Sequence, residues 1–169
     1  MRIPVFVSCP TSLNDSQQAA RELVLRELTR QGLEPRALGR SDYPTDLPLR
    51  EVFVIAKHCS GGVILGFEQF YAQNVKRKRG TDGEKALPGA VRFPTPWNHL
   101  EAGILFGMRL PLLVFREPGI EGGIFDTGVT DAFIHPMPAQ GMSRANRTGL
   151  VEVFRKWQAK VREHYYREH

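Results

Sequence analysis

Short unbroken apolar runs alternate with segments whose apolar residues recur every three to four positions. Ile3 to Ser8, Gly62 to Phe67 and Pro111 to Arg116 are runs of the first kind. Continuous apolar character over that length suits strands covered on both faces, as in a parallel sheet. Between them lie segments of helical period. Ala20, Leu23, Val24 and Leu28 face one way on a helix ending at about Gln31, where Gly32 stops it. Asp15 with Gln18 three residues on reads as its capping box. Glu34 to Leu38 reads as a short second strand, and Gly39 to Asp46 as loop. Pro48 opens a second helix, whose Val52, Ile55, Ala56 and Cys59 keep the spacing i, i+3, i+4, i+7. Ala132 to His135 reads as a fifth strand. A last helix over 144–167 carries a stripe of Leu150, Val153, Phe154, Trp157 and Val161. The alternation predicts an α/β fold with three layers: a five-stranded, mainly parallel sheet with helices on both sides. The expectation is a single domain over 1–169.

One helix carries an anomaly. Thr95 is placed to cap its first turn, and Pro96 occupies the first helical position, where a missing N–H costs nothing. At 100° per residue, Trp97, Leu100, Ile104 and Met108 share a face, and Glu101 falls among them. A carboxylate on a core-facing stripe is costly unless it is paired, holds a proton or lines a pocket. In parallel sheets ligands bind beyond the carboxyl ends of the strands. The loop after Ser8, the loop after Phe67 and the start of this helix all belong to that edge. Glu101 is therefore the candidate catalytic carboxylate. A tryptophan one turn before it suits a nucleotide, the ring stacking while the acid meets the sugar. The acid would stabilise an oxocarbenium-like centre or attack it. The competing assignment is a structural glutamate that reaches a backbone N–H, Arg92 or Arg116. Around the acid we expect Ser8, Cys9, Pro10 and Asn14 from the first strand's exit, Phe67 from the third strand, and Trp97 and Asn98.

Composition narrows the choices. Hydrophobic residues are 41% and charged residues 24% of 169, as in ordinary globular domains, and no apolar run is long enough to span a membrane. The opening residues read as a strand and not as a signal peptide, and the two cysteines make no disulfide framework, so a cytoplasmic location is expected. The histidines lack metal-ligand spacing, so no metal is expected. Neither a G-x-G-x-x-G turn nor a phosphate-loop lysine motif is present. Cys9 as a nucleophile has no implicated base. A net charge of +5 permits phosphate binding, and the run Lys76-Arg77-Lys78-Arg79 has no nucleic-acid motif beside it, so nucleic acid is not an expected partner. That run lies in a poorly patterned stretch, which we expect to be a mobile loop over 68–94 that covers the pocket.

Three segments together resemble a known family. Phe6-Val7-Ser8-Cys9-Pro10 followed by Asn14-Asp15 resembles the first-strand box of TIR domains. Trp97-Asn98-His99-Leu100-Glu101-Ala102 resembles their W-C-x-x-E-L box, with Asn98 in place of the cysteine and Ala102 in place of the leucine. Leu110-Pro111-Leu112-Leu113-Val114 resembles the strand that follows. The layout, with Glu101-Ala102-Gly103 near the edge, is also similar to nucleoside 2-deoxyribosyltransferases. The resemblance spans about Ile3 to His135 and implies a flavodoxin-like fold and cleavage of an N-glycosidic bond. In catalytic TIR domains the glutamate serves the release of nicotinamide from NAD; in the transferases it is the nucleophile. By resemblance Glu101 takes that role, Trp97 lines the pocket and Ser8 lies near the ribose. NAD or another nucleotide would be substrate and not cofactor. A homo-oligomer or partner-assembled active site, and a role in bacterial defence or signalling, are implied too. A non-catalytic nucleotide-binding or protein-interaction module is the remaining reading.

Overall fold

A computed structural model describes residues 2–37 and 47–168. In chain order its elements are β1 (Ile3–Ser8), α1 (Asp15–Arg30), β2 (Leu33–Arg36), α2 (Pro48–Lys57), β3 (Gly62–Gly66), β4 (Phe70–Gln73), β5 (Lys76–Arg77), β6 (Lys85–Ala86), β7 (Ala90–Phe93), α3 (Pro96–Gly107), β8 (Leu112–Arg116), a 3-10 turn (Gly123–Phe125), β9 (Ile134–Pro136) and α4 (Arg144–Glu168). Five strands form one sheet in the order β2-β1-β3-β8-β9, and every pairing in it is parallel. With helices on both faces, this is the three-layer, flavodoxin-like α/β fold expected.

Strand alternation sorts the core into two halves. Ile3, Val5 and Val7 of β1, Val63 and Leu65 of β3, and Leu113 and Phe115 of β8 pack under α1 and α4. Phe6, Ile64 and Val114 pack under α2 and α3. This double cover is the reason the central strands read as unbroken apolar runs. The α4 stripe closes its side: Phe154, Trp157 and Val161 are buried, and the Trp157 indole donates to the Pro111 carbonyl at 3.0 Å.

Several expectations shift. The cap of α1 is Asn14, not Asp15. Its side chain accepts from the Gln17 amide, and the Gln17 side chain accepts from the Asn14 amide. The capping box thus lies one residue earlier, which turns Gln17 inward. β2 starts at Leu33; Leu38 and the expected loop over 39–46 lie outside the described residues. β9 begins two residues later than expected, at Ile134.

The stretch expected as loop over 68–94 contains two antiparallel ladders. β4 pairs with β7, Phe70 opposite Phe93, and β5 pairs with β6 further out. Most side chains in these strands are exposed. With neither face on the core, such strands carry no apolar alternation to read. Glu68 anchors the ribbon's base through an ion pair with Arg92 at 2.7 Å.

α3 also turns differently. It starts as expected, with the Thr95 hydroxyl accepting from the Trp97 amide at 3.3 Å. Its buried residues, however, are Asn98, Glu101, Ala102 and Leu105, whereas Trp97 and Leu100 are exposed. Small Ala102 lets the helix lie close to the sheet. Leu105 fills the space above Gly62, where a Cβ would stand 2.7 Å from the leucine. Of the expected stripe only Ile104 and Met108 pack against this half of the core, both partly buried, and Glu101 is buried more deeply than any of the four.

Candidate functional site

Glu101 projects from α3 toward the carboxyl end of β1. Only 8% of it is exposed. Burial pushes its carboxyl up to about 7, and a hydrogen bond from the Ser8 hydroxyl opposes that rise. Ser8 is the last residue of β1 and has the same strand parity as Phe6, so it faces α3. Its hydroxyl oxygen accepts from Asn98 Nδ2 at 2.8 Å. Asn98 precedes Glu101 by three residues, so the two share a helix face. Ser8 and Asn98 are both fully buried. Three expected site residues from two distant segments thus form one polar knot.

Neither arginine that could have made Glu101 structural does so. Arg92 is held by Glu68, and Arg116 donates to the carbonyls of Ile120 and Phe125, at 3.0 Å each. Among the described residues no ion pair neutralises the Glu101 carboxyl. The site can therefore hold either a proton or a negative charge near neutral pH, and the charged form would be stabilised by a cationic neighbour.

The other expected residues are placed elsewhere. Cys9 follows Ser8 and so takes the opposite face of the sheet, packing against the α1 side of the core beside Val7, Leu25 and Pro35. Phe67 is fully buried in that same half of the core. Pro10 is buried, and its carbonyl accepts from the Cys9 thiol at 3.5 Å. Asn14 caps α1. Trp97 stands one turn before Glu101 at the surface, 41% exposed. His99 packs its ring edge-to-face on Phe125 at 5.5 Å; burial lowers its pKa. The ribbon's base is on this His99 side. Phe70 and Phe93 border a recess of about 780 Å³ together with Pro96, His99 and Ile124.

A second polar cluster at the carboxyl edge was missed in the sequence. Gln17 donates to the Glu117 carboxylate at 3.0 Å and to the Glu68 carbonyl at 3.2 Å, and the Glu68 amide donates to Glu117 at 2.6 Å. It ties α1, the ribbon and the end of β8 together. A correctly placed capping box would have exposed Gln17 as an inward polar residue. Among the described residues no group of three or more His, Cys, Asp or Glu is placed to hold a metal ion. No helix among them is long and apolar enough to cross a membrane.

No protein-family model matches the chain, and no curated protein is significantly similar to it. Among solved structures, the chain is similar to a CMP N-glycosidase of Clostridium botulinum, BcmB, with a TM-score of 0.48 and 13% identity over 78% of this chain and 85% of that one. At that distance the likeness assigns no residue a role.

Proposed function

We propose that the protein cleaves the N-glycosidic bond of a nucleotide or nucleoside, with Glu101 as the group that meets the anomeric carbon of the sugar. The observation that carries this reading is the Glu101 carboxyl itself. It is buried, with no counter-ion among the described residues, at the edge where parallel sheets bind ligands, and the Ser8 hydroxyl of the neighbouring strand favours its charged form. A structural carboxyl gains nothing from that arrangement. A carboxyl awaiting a cationic centre does.

In the proposed reaction the C1′–N bond breaks and its electron pair leaves with the base. Positive charge develops on C1′ and the ring oxygen, and ionised Glu101 stabilises it across a short, poorly solvated gap. Water then adds to C1′ and loses a proton. NAD is the substrate we favour. Its nicotinamide is already cationic and leaves as a neutral molecule, so no acid has to protonate it. One carboxylate is enough for that chemistry, and one is what this knot supplies. Trp97, exposed one turn away, is available to stack on a ring.

The position of Glu101's titration favours a second reading. A carboxyl that titrates at about 7 is partly protonated near neutral pH. It could therefore serve a base that must be protonated to leave, or form a glycosyl ester in base exchange. That is the chemistry of a nucleoside hydrolase or deoxyribosyltransferase.

Chromatography of bases released from NAD, from nucleoside monophosphates and from deoxynucleosides separates these readings. Nicotinamide from NAD alone supports the first. Release from deoxynucleosides that needs an acceptor base supports the second. Silence across the panel at high protein concentration, with nucleotide binding retained in Glu101→Ala, would make the fold a binding module.

A further inference from the structure

We infer that the ribbon is a docking surface for single-stranded nucleic acid, with phosphates on Arg77, Lys78, Arg79 and Lys85 at its tip and bases on Phe70 and Phe93 at its base. The inference goes beyond the role given to Glu101 and does not rest on it. As a loop, the run Lys76-Arg77-Lys78-Arg79 gives no reason to expect a nucleic acid. As part of a ribbon it shares one element with exposed aromatic rings, and charge beside rings is the combination that single strands require.

The charges at the tip oppose one another. Arg77 lies directly across the β5–β6 ladder from Lys85, and both are exposed. Like charges so placed destabilise a strand pair, and a polyanion lying on the tip would relieve the repulsion. Lys76 is neutralised by Glu84 at 2.7 Å, and the same carboxylate accepts from the Gly80 amide at 2.8 Å, which fixes the turn. Among the described residues no carboxylate pairs with Arg77, Lys78, Arg79 or Lys85. Residues 74–87 hold five cations against Asp82 and Glu84, a net +3 of the chain's +5.

Exposed strands often carry charge simply to keep other chains from pairing with them. Large apolar rings on the same ribbon defeat that purpose. Phe70 is 56% and Phe93 40% exposed, and they lie opposite each other in the β4–β7 ladder. Rings held in the open can stack on any base. An acidic peptide would answer the cations but leave the rings unused. A membrane would need the rings to enter beside the cations, whereas here the two groups lie at opposite ends of the ribbon.

The span selects a chain over a small ligand. Seven residues separate Phe70 from Arg77, at most about 23 Å of strand. One nucleotide is too short to meet both ends. A stacked single strand, with a phosphate every ~3.4 Å, covers the distance with about seven nucleotides. A duplex keeps its bases inside its own stack and offers none to Phe70 and Phe93. The base of the ribbon is braced for this use: Glu68 pairs with Arg92 at 2.7 Å, and the Gln69 amide donates to the Phe93 carbonyl at 2.9 Å.

The test is fluorescence anisotropy of a labelled oligo(dT) of about 20 nucleotides, long enough to cover the ribbon, titrated with the full chain. Binding should saturate at about 50 mM salt and weaken as salt rises, with a log–log slope of about −3 for four cations at roughly 0.7 each. Arg77→Ala/Lys85→Ala should make that slope shallower by about 1.4. Phe70→Ala/Phe93→Ala should weaken binding about tenfold or more and leave the slope unchanged. Thermal melts establish that the variants fold; should the ladder variant unsettle the ribbon, Lys78→Ala/Arg79→Ala gives the same reading from the turn. Absence of saturable binding overturns the inference. So does a slope unchanged in the cation variants, or competition by duplex DNA, polyglutamate or phosphatidylserine vesicles as strong as that of the unlabelled strand. Binding is read without turnover, so the result is independent of what Glu101 does.

Discussion

Asn98 and Ser8 lie 90 positions apart in the chain, and their side chains meet at 2.8 Å beneath α3. The contact joins the end of a central strand to the first turn of the helix that carries Glu101. It is where the fold's topology becomes chemistry, because only a parallel sheet with this crossover brings those two segments to one edge.

Glu101 should draw stability down as pH rises toward neutrality, against His99 and His135, whose pKa values burial lowers and which favour the folded state as pH rises. Below about pH 4.5 the folded and unfolded chains both hold its proton. Between there and about 7 the unfolded chain releases that proton while the folded chain keeps it, so the folded state loses relative stability. The loss is about 3 kcal/mol if the shift is fully expressed. Glu101→Gln keeps the shape and removes the titration. Denaturant unfolding at pH 5 and pH 8 should therefore show the wild type losing more stability, or gaining less, than the variant on going to pH 8, with the variant the more stable of the two proteins there.

The rate of base release should show the opposite slope. If ionised Glu101 is the working form, kcat/KM should climb as pH rises through about 7, since that ratio reports on the free protein. Initial rates across pH 5.5 to 8.5 check this. A rate that falls over the same range would mean that the protonated acid is the working form, in favour of the second reading.

Gly123 should not tolerate a side chain. Its φ is +58°, and a Cβ there would stand 2.7 Å from His99 Nδ1. Gly123→Ala should cost about 1–3 kcal/mol, from backbone strain and from pushing the His99 ring off Phe125. Gly66→Ala should behave alike, because its Cβ would collide with the Phe125 ring. Thermal melts of both variants give the measurement.

Gln17→Met should destabilise by about 2 kcal/mol, which for a chain of this size lowers Tm by roughly 4–8 °C. The variant keeps the volume but takes the side-chain donor from the Glu117 carboxylate and the Glu68 carbonyl, and half of the capping box from Asn14. A melt indistinguishable from wild type would show that the cluster at the carboxyl edge contributes nothing to stability.

The parts of this molecule that read clearly in the sequence are those where one residue's environment follows from its neighbours. β1, β3 and β8 are apolar throughout because both faces are covered, and Thr95-Pro96 marks the start of α3 by local chemistry alone. The ribbon is illegible there because its strands touch no core. The inward face of α3 misleads for a different reason. A helical wheel favours large apolar residues, whereas the sheet accepts small Ala102, and Leu105 because Gly62 leaves room for it, which is a tertiary fact. Glu101 stands out as an anomaly, but its partners can be only half chosen. Ser8 ends β1 and Cys9 follows it directly, so the strand's alternation turns the two to opposite faces. Phe67 falls to the far half of the core, away from Glu101.

The central claim rests on one side chain, so the decisive measurement compares base release from NAD by the wild type and by Glu101→Gln, under identical conditions and with both proteins shown to be folded. The account predicts nicotinamide from the wild type and a rate at least about a hundredfold lower in the variant, the scale on which lost electrostatic stabilisation of a transition state is felt. Equal rates in the two proteins would contradict it, and would move the reaction away from Glu101.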